Sequence, residues 1–435
     1  MFQKKSTFLL NPYFIFLPFL LLFFFIVFRL HADAMEGDEN RYYEFAQNLL
    51  NGFYSPPPPH INLWSGPGYS IFLIPFVGLK LPLITITLAN AVLLYLAIIF
   101  LFKSLRKVVS FRHSLVFSCI LGFYYNLYKE LPYIITEIFT VFLLSLLIYC
   151  IACTFLDRSR KHLVATGFLL GWLALTKVIF GYVILIMLAG TLLLWLLHRQ
   201  NKNFRMGFMV VLMALITNLP YLAYTHHLTG RFPYWANSGG MSLYWMSSPY
   251  EGEFGDWHDE TLVDVNFAPY QDSAYAVDLI KKHHQQDYNE VYSYTGIEQD
   301  DAFKRIAIRN IKAHPAKYIQ NIVSNAGRLV FNYPYAYRYE TYHSLLRVVV
   351  NGILLTMILF FMIPTILNWR RLLYPIQFLM ALVTFYMGAT VLVSAYPRQY
   401  YVMLPIFLFW MAYMAQQSIK LNFNFSKSVP GDKSH

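Results

Sequence analysis

Long apolar stretches recur along this sequence of 435 residues, and short loops rich in lysine and arginine separate them. Each stretch is long enough to cross a hydrocarbon core of roughly 30 Å as a helix. A helix closes its own backbone hydrogen bonds, so in lipid, where water cannot satisfy them, it is the expected spanning element. The alternation that a membrane barrel needs is absent. Hydrophobic residues make up 57% of the chain and charged residues 13%, a balance outside that of soluble domains. The expected fold class is an all-α polytopic membrane protein. Its bundle has about ten transmembrane helices, an outer-face loop helix and a modest extracytoplasmic segment.

The spans fall at 11–29, 82–102, 113–128, 132–156, 163–178, 180–197, 206–224, 346–368, 373–394 and 400–418, with a short membrane-dipping helix over 68–79. Spans five and six share one apolar run that divides near Lys177 to Gly181. The first run follows Lys4 and Lys5 and is longer than a signal-peptide core, so it reads as a retained span. Charge then orients the bundle. With Lys4 and Lys5 in the cytoplasm, Lys103, Arg106, Lys107, Arg112, Arg158, Arg160 and Lys161 fall on the same side. So do Arg199, Lys202, Arg205, Arg370, Arg371 and the tail lysines 420, 427 and 433, as the positive-inside rule requires. Both termini are cytoplasmic in this map. The chain divides into a module of about seven spans over 1–224, a segment outside the membrane over 225–345, and a module of about three spans with a short tail over 346–435. The first module contains the outer loop 31–81.

The formal charge of +11 sits in the cytoplasmic loops, where it suits anionic membrane lipid and not nucleic acid. Cys119, Cys150 and Cys153 all lie in apolar stretches, so no disulfide framework is implied, and Cys150 and Cys153 read as small packing residues. In the outer segment, Asp300 and Asp301 precede an amphipathic pattern of Phe303, Ile306, Ile308 and Ile311 that His314 and Pro315 interrupt. Pro315 then opens a second helix carrying Tyr318, Ile319 and Ile322.

Two acids and three cations stand out. The first outer loop begins Glu36-Gly37-Asp38-Glu39-Asn40-Arg41-Tyr42, and Tyr42, Phe45, Ala46, Leu49 and Leu50 form an apolar helix face that closes at Gly52. Asp38 lies at or near the N-cap of this interface helix, where an acid either caps the helix or serves chemistry. Four prolines, Pro56 to Pro59, stiffen the next stretch. With His60, Trp64 and Tyr69 around it, the loop suits contact with carbohydrate or lipid headgroups, or acts as a spacer. Glu137 stands at the outer end of span four, where an ionisable group at membrane depth signals function or a salt bridge, with Lys177 as the partner. Arg41, Lys177 and Arg398 lie on that same outer side, as phosphate partners or as interfacial anchors.

These residues resemble the GT-C class of membrane glycosyltransferases, in particular the bacterial protein O-mannosyltransferase-like enzymes and the lipid A aminoarabinose transferase. Asp38-Glu39-Asn40-Arg41-Tyr42 matches their D-E-x-R-Y motif after one span, and Gly66-Pro67-Gly68-Tyr69 loosely matches a P-P/G-Y element. Glu137, the small-residue fifth span ending at Lys177, and Arg398-Gln399-Tyr400 ahead of the last span resemble further family features. The aminoarabinose transferase has a lysine just before its Pro-Pro, where this chain has Ser65, so the donor-phosphate cation must come from elsewhere. The resemblance implies transfer of a sugar from undecaprenyl-phosphate sugar to a glycolipid, glycan or protein acceptor at the periplasmic face of a bacterial inner membrane. Asp38 takes the family's role of general base or acceptor-orienting acid, with Glu39 and Glu137 as orienting carboxylates. Arg398, Lys177 and Arg41 bind the donor phosphate. Tyr42, His60, Trp64, Tyr69 and Tyr400 are candidate substrate contacts. No cofactor is obligatory. A divalent metal is compatible with the family, with Glu39 and Glu137 as its occasional ligands. An O-antigen polymerase or ligase lacks an acidic motif directly after its first span. A transporter or flippase places its charged site near the bilayer midplane.

Overall fold

The computed structural model describes residues 11–258, 273–337 and 342–418. Lys4, Lys5 and the tail lysines 420, 427 and 433, which helped to orient the bundle, lie outside the described residues. Among the described residues every regular element is helical. After a helical turn at Pro12–Ile15 come α1 (Leu17–Leu30), α2 (Asp38–Leu50), α3 (Pro67–Gly78), α4 (Leu83–Leu105), α5 (Phe111–Gly122) and α6 (Tyr125–Glu130). Next are α7 (Thr136–Phe155), α8 (Arg160–Thr176), α9 (Ile179–Leu197) and α10 (Lys202–Thr229). The outer segment holds α11 (Gly239–Met246), α12 (Ser273–Val291), α13 (Gly296–Ala313) and α14 (Pro315–Phe331). The chain closes with α15 (Tyr342–Leu367), α16 (Tyr374–Val391), α17 (Arg398–Tyr401) and α18 (Leu404–Ser418).

Among the described residues six helices are long and apolar enough to cross a membrane: α4, α7, α9, α10, α16 and the 348–367 stretch of α15. The other expected spans are shorter. They are α1 with 14 residues, α5 with 12, α8 with 17 and α18 with 15. The expected span at 113–128 is broken where Tyr124 turns extended between α5 and α6. The expected division of the fifth and sixth spans is confirmed, since α8 stops at Thr176, Lys177 is extended, and α9 starts at Ile179. The short helix expected over 68–79 is α3, and α10 runs past the expected edge at 224 to Thr229.

α7 is buried along most of its length and touches α4, α8, α16 and α18. Phe25, Phe28, Leu193, Leu197, Ile363 and Leu367 are exposed on the outside of the bundle, which is the favourable arrangement where the surrounding solvent is lipid. Glycines bring two helices close. A Cβ on Gly171 of α8 would lie 2.7 Å from the Ala214 carbonyl oxygen of α10. Asn218 of α10 donates to the Gly171 carbonyl at 3.1 Å and accepts from the Trp235 indole at 3.0 Å, a polar tie between small-residue faces. This packing fixes the end of α8 that leads into Lys177.

The outer segment has its own core of Tyr244, Trp245, Ile280, Tyr288, Phe303 and Ile306. The two expected helices are present as α13 and α14, with Pro315 in the first turn of α14. Their expected apolar faces are only partly the buried ones. Ile308 is 48% exposed, Ile319 61% and Val323 69%, whereas Asn321, Asn325 and Arg328 of α14 are at 0%. α14 turns its polar side inward, where backbone carbonyls need donors, and its apolar side outward, as an interfacial helix does.

Candidate active site

Gly37 adopts φ +52 and turns the chain out of the loop after α1, so that Asp38 becomes the first residue of α2. An acid there is favoured by the helix dipole. Its side chain does not cap the helix. The carboxylate instead takes Arg41 from one turn along α2 and Nη1 of Arg398, the latter at 2.7 Å. Glu137 lies in the first turn of α7, 1% exposed, and its Oε1 accepts from Lys177 Nζ at 2.9 Å. Arg398 Nε stands 3.8 Å from that same oxygen, so one guanidinium links the two acids. Lys177 also donates to the Thr136 hydroxyl at 3.0 Å. The salt bridge expected as the bland role of Glu137 is therefore present, and it forms part of the cavity.

Each cation is held by packing elsewhere. Lys177 follows the last turn of α8, where a positive charge meets the negative end of the helix dipole. Gly66 and Gly68 press on that end. A Cβ on Gly66 would lie 2.1 Å from the Leu175 carbonyl oxygen, and one on Gly68 would lie 2.6 Å from the Thr176 hydroxyl. Arg398 opens α17, and the turn before it is gripped by α14. The Asn325 amide donates to the carbonyls of Val391 at 3.1 Å and Val393 at 2.6 Å, and its oxygen accepts from the Ala395 N–H at 3.1 Å. Arg328, fully buried, donates to the carbonyls of Ala395 at 3.3 Å, Phe254 at 3.3 Å and Pro334 at 3.0 Å.

Together these groups enclose a cavity of about 450 Å³ lined by Asp38, Arg41, Tyr42, Trp64, Glu137, Lys177, Trp257, Tyr386, Ser394 and Arg398, among others. Three cations in that lining face two carboxylates, which leaves one positive charge in surplus. Arg41 lies over the Trp64 ring at 5.6 Å and the Tyr42 ring at 5.7 Å, so two aromatic faces hold its guanidinium plane. Arg41 Nε, the Tyr386 hydroxyl and the Ser394 hydroxyl are buried without a hydrogen-bond partner. Burial raises the Asp38 carboxyl, but the Arg398 and Arg41 guanidiniums outweigh it and hold the group below the ordinary carboxylate range. Asp38 is ionised at neutral pH. Arg398 remains 35% exposed, which leaves it open to a ligand in the cavity.

Four of the expected residues stand elsewhere. Glu39 is a strut: Oε1 accepts from the Ile134 N–H at 2.7 Å and Oε2 from the Glu36 N–H at 3.1 Å, tying the first loop to the start of α7. Tyr69 is buried edge-on to Tyr42 at 5.3 Å and against Phe139 at 5.7 Å. Tyr400 packs on Phe407 at 5.7 Å. His60 is exposed on the proline loop, whose Pro59 carbonyl accepts from the Thr295 hydroxyl at 3.3 Å. Of the residues the sequence did not single out, Thr136 and Ser394 were the nearest to legible, one beside Glu137 and the other in the turn before Arg398. Tyr386 and Trp257 carried no local signal, because only the fold brings α16 and the 247–258 loop to the cavity.

Gly66→Ala is expected to destabilise the protein by about 1–3 kcal/mol, since backbone cannot retreat from the added methyl. Gly190, with open space around it, supplies the control: Gly190→Ala should leave melting unchanged or raise it. Thermal unfolding of both variants in detergent compares them, and equal melting would show that the Gly66 contact is not tight.

No protein-family model matches the sequence, and no curated protein sequence matches it. Similarity appears in the fold. The crystal structure of the Archaeoglobus fulgidus oligosaccharyltransferase tethered with an acceptor peptide aligns with a TM-score of 0.50 at 12% identity, over 94% of this chain and 50% of that one. The present chain thus spans half the length of that enzyme. ArnT from Cupriavidus metallidurans, crystallised with undecaprenyl phosphate, aligns with a TM-score of 0.41 at 14% identity, over 93% of this chain and 78% of that one. The chain has the fold of the GT-C membrane glycosyltransferases.

Proposed function

We propose that this protein transfers a sugar, a hexose or pentose, from a polyprenyl-phosphate donor to a glycolipid, glycan or protein acceptor at the extracytoplasmic face of the membrane. The observation that carries this reading is Arg398 set between Asp38 and Glu137 in a cavity whose cations outnumber its acids. An anion belongs there. A phosphate on a lipid carrier supplies it, and arginine and lysine are the groups that bind it.

The chemistry follows from the charges. The acceptor hydroxyl gives its proton to the Asp38 carboxylate as its oxygen bonds to the anomeric carbon. The bond from that carbon to the phosphate oxygen breaks, and the electron pair departs on polyprenyl phosphate. Arg398, Lys177 and Arg41 neutralise the departing charge, so the scheme works without a divalent metal. The unpartnered hydroxyls of Tyr386 and Ser394 and Nε of Arg41 supply hydrogen bonds to sugar or phosphate oxygens. Donor binding also prepares the base. A phosphate competes with Asp38 for Arg398, and a carboxylate that loses a guanidinium becomes more basic. Glu137 keeps Lys177 in place throughout.

The basic loops around 103–112, 158–161, 199–205 and 370–371 contribute no residue to this cavity, and we assign them to the cytoplasm. Proteoliposomes holding the purified full chain and a radiolabelled polyprenyl-phosphate sugar test the reading. The expected result is protein-dependent release of polyprenyl phosphate, inhibited by added undecaprenyl phosphate. Lys177→Ala should raise the donor KM about ten- to a hundredfold through one lost charge-assisted contact. Failure to release the carrier from any such donor, together with no binding of undecaprenyl phosphate, would sink the proposal.

A further inference from the structure

Outside the catalytic cavity, three metal-ligating side chains meet inside the outer segment. Glu253 Oε1 lies 2.9 Å from His283 Nδ1, and Glu253 Oε2 lies 3.0 Å from His284 Nε2. One ligand atom from each residue can be chosen so that all lie within 4.8 Å of one another. Glu253 and His284 are each 2% exposed and His283 18%. None of the three lines the catalytic cavity. We propose that Glu253, His283 and His284 form a structural zinc site that fixes one wall of the active cavity.

Consecutive residues on a helix diverge by about 100° around its axis, so His283 and His284 of α12 do not converge by default. Here each ring is held. Tyr250 stacks on His283 with 3.9 Å between ring centroids and 7° between planes, while Trp245 packs on His284 at 4.7 Å. The outer partners of His284 match those of metal-bound imidazoles, whose second nitrogen is oriented by a hydrogen-bonded carboxylate. His284 Nδ1 lies 2.6 Å from the Tyr244 hydroxyl, which donates to Asp287 at 3.3 Å, and Asp287 accepts from Arg309 at 2.8 Å.

That relay admits a metal-binding tautomer. With the Tyr244 hydroxyl donating to Asp287, its oxygen is free to accept Nδ1–H of His284. In that tautomer Nε2 of His284 turns its lone pair to the Glu253 carboxylate, 3.0 Å away. A positive centre between the two, a proton or a metal ion, then offsets their repulsion. A zinc ion supplies that centre and also takes His283 Nδ1. Tetrahedral zinc with bonds near 2.0–2.2 Å sets its ligand atoms about 3.4 Å apart, a spacing that three atoms lying within 4.8 Å of one another can close to, with a water as the fourth ligand. Imidazole nitrogen and carboxylate oxygen are ligands that suit zinc. The Tyr337 and Ser248 hydroxyls donate to the two Glu253 oxygens and leave lone pairs for the ion.

The site closes the chain between the 247–258 loop and α12. That loop carries Trp257 into the catalytic cavity and Phe254, whose carbonyl receives Arg328. The proposal is independent of the transferase reading, and its test needs no enzymatic readout. Untagged full-length protein in nanodiscs is stripped with a chelator and titrated with Zn2+. The expected result is one zinc per chain, with a melting temperature that rises on addition and falls again with chelator. His284→Gln and His283→Gln should each weaken zinc binding by more than tenfold. Tyr244→Phe, which removes only the orienting hydroxyl, should weaken it about tenfold. Co2+ bound to the wild-type protein reports the ligand set without any variant: visible bands of tetrahedral strength support the site, and a weak octahedral spectrum overturns it. Failure to take up zinc, or uptake that both histidine variants retain unchanged, also overturns it and leaves a hydrogen-bonded network alone.

Discussion

Arg398→Ala is expected to lower sugar transfer by about 10²- to 10³-fold, the cost of removing a preorganised donor from developing negative charge. The loss should exceed that from the other cations because Arg398 is shared. Its Nη1 binds Asp38 at 2.7 Å while its Nε faces Glu137 at 3.8 Å, so alanine leaves two carboxylates converging on a cavity that must admit an anion. Arg41 and Lys177 then only balance the two acids, so the surplus charge that draws the donor phosphate is lost, which weakens donor binding as well as leaving-group departure. Arg398→Lys should recover only part of the activity, since a single ammonium has no fork to span both acids. Transfer assays and binding of undecaprenyl phosphate separate the two effects. Wild-type rates in the alanine variant would remove Arg398 from the chemistry.

Asp38→Asn should reduce turnover by about 10²- to 10⁴-fold, the usual contribution of a positioned general base, with little change in donor affinity. The amide keeps the shape, and its oxygen can still accept from one of the two guanidiniums, so the fold should survive. The pH dependence distinguishes the roles. The folded-state pKa of Asp38 is lowered from 3.8 by its guanidinium partners. Its ion pairs therefore contribute stability that is fully present above that ordinary value and lost as pH falls through the lowered one. Asp38→Asn should show a shallower acid loss of melting temperature below that value. In catalysis, the acid limb of kcat, which reports the donor complex, should lie at higher pH than that of kcat/KM, because phosphate draws Arg398 from Asp38. Coincident limbs would show that Asp38 keeps its guanidinium throughout and does not act as base.

Much of this site was readable before the fold was known, for a physical reason. Asp38, Glu137, Lys177 and Arg398 are charges set against apolar surroundings, and span counting places all four at one end of the bundle. What periodicity does not report is direction within a loop or around a buried helix. Glu39 follows Asp38 by one residue, so its carboxylate leaves α2 on another side and ends on backbone N–H groups of Glu36 and Ile134. Tyr69 and Tyr400 stand in elements that the resemblance ties to substrate, yet both fill helix contacts. Asn325 and Arg328 were missed because a polar helix face ordinarily meets water. α14 inverts that rule, and no pattern of residue types separates a polar face turned to solvent from one turned to unpaired carbonyls. The span lengths differed for a related reason: a break such as that at Tyr124 is set by packing, and apolar composition continues straight through it.

The grip of Asn325 and Arg328 on residues 391–395 means that the cation linking the two acids is aimed by the 225–345 segment and not by the long apolar helices alone. The outer segment is thus no removable lid. A membrane portion expressed without α14 would retain Asp38, Glu137 and Lys177 yet lose the bearing of its guanidinium. A shift of α14, which carries the exposed Ile319 and Val323 on its other face, would reach Arg398 through a handful of main-chain hydrogen bonds.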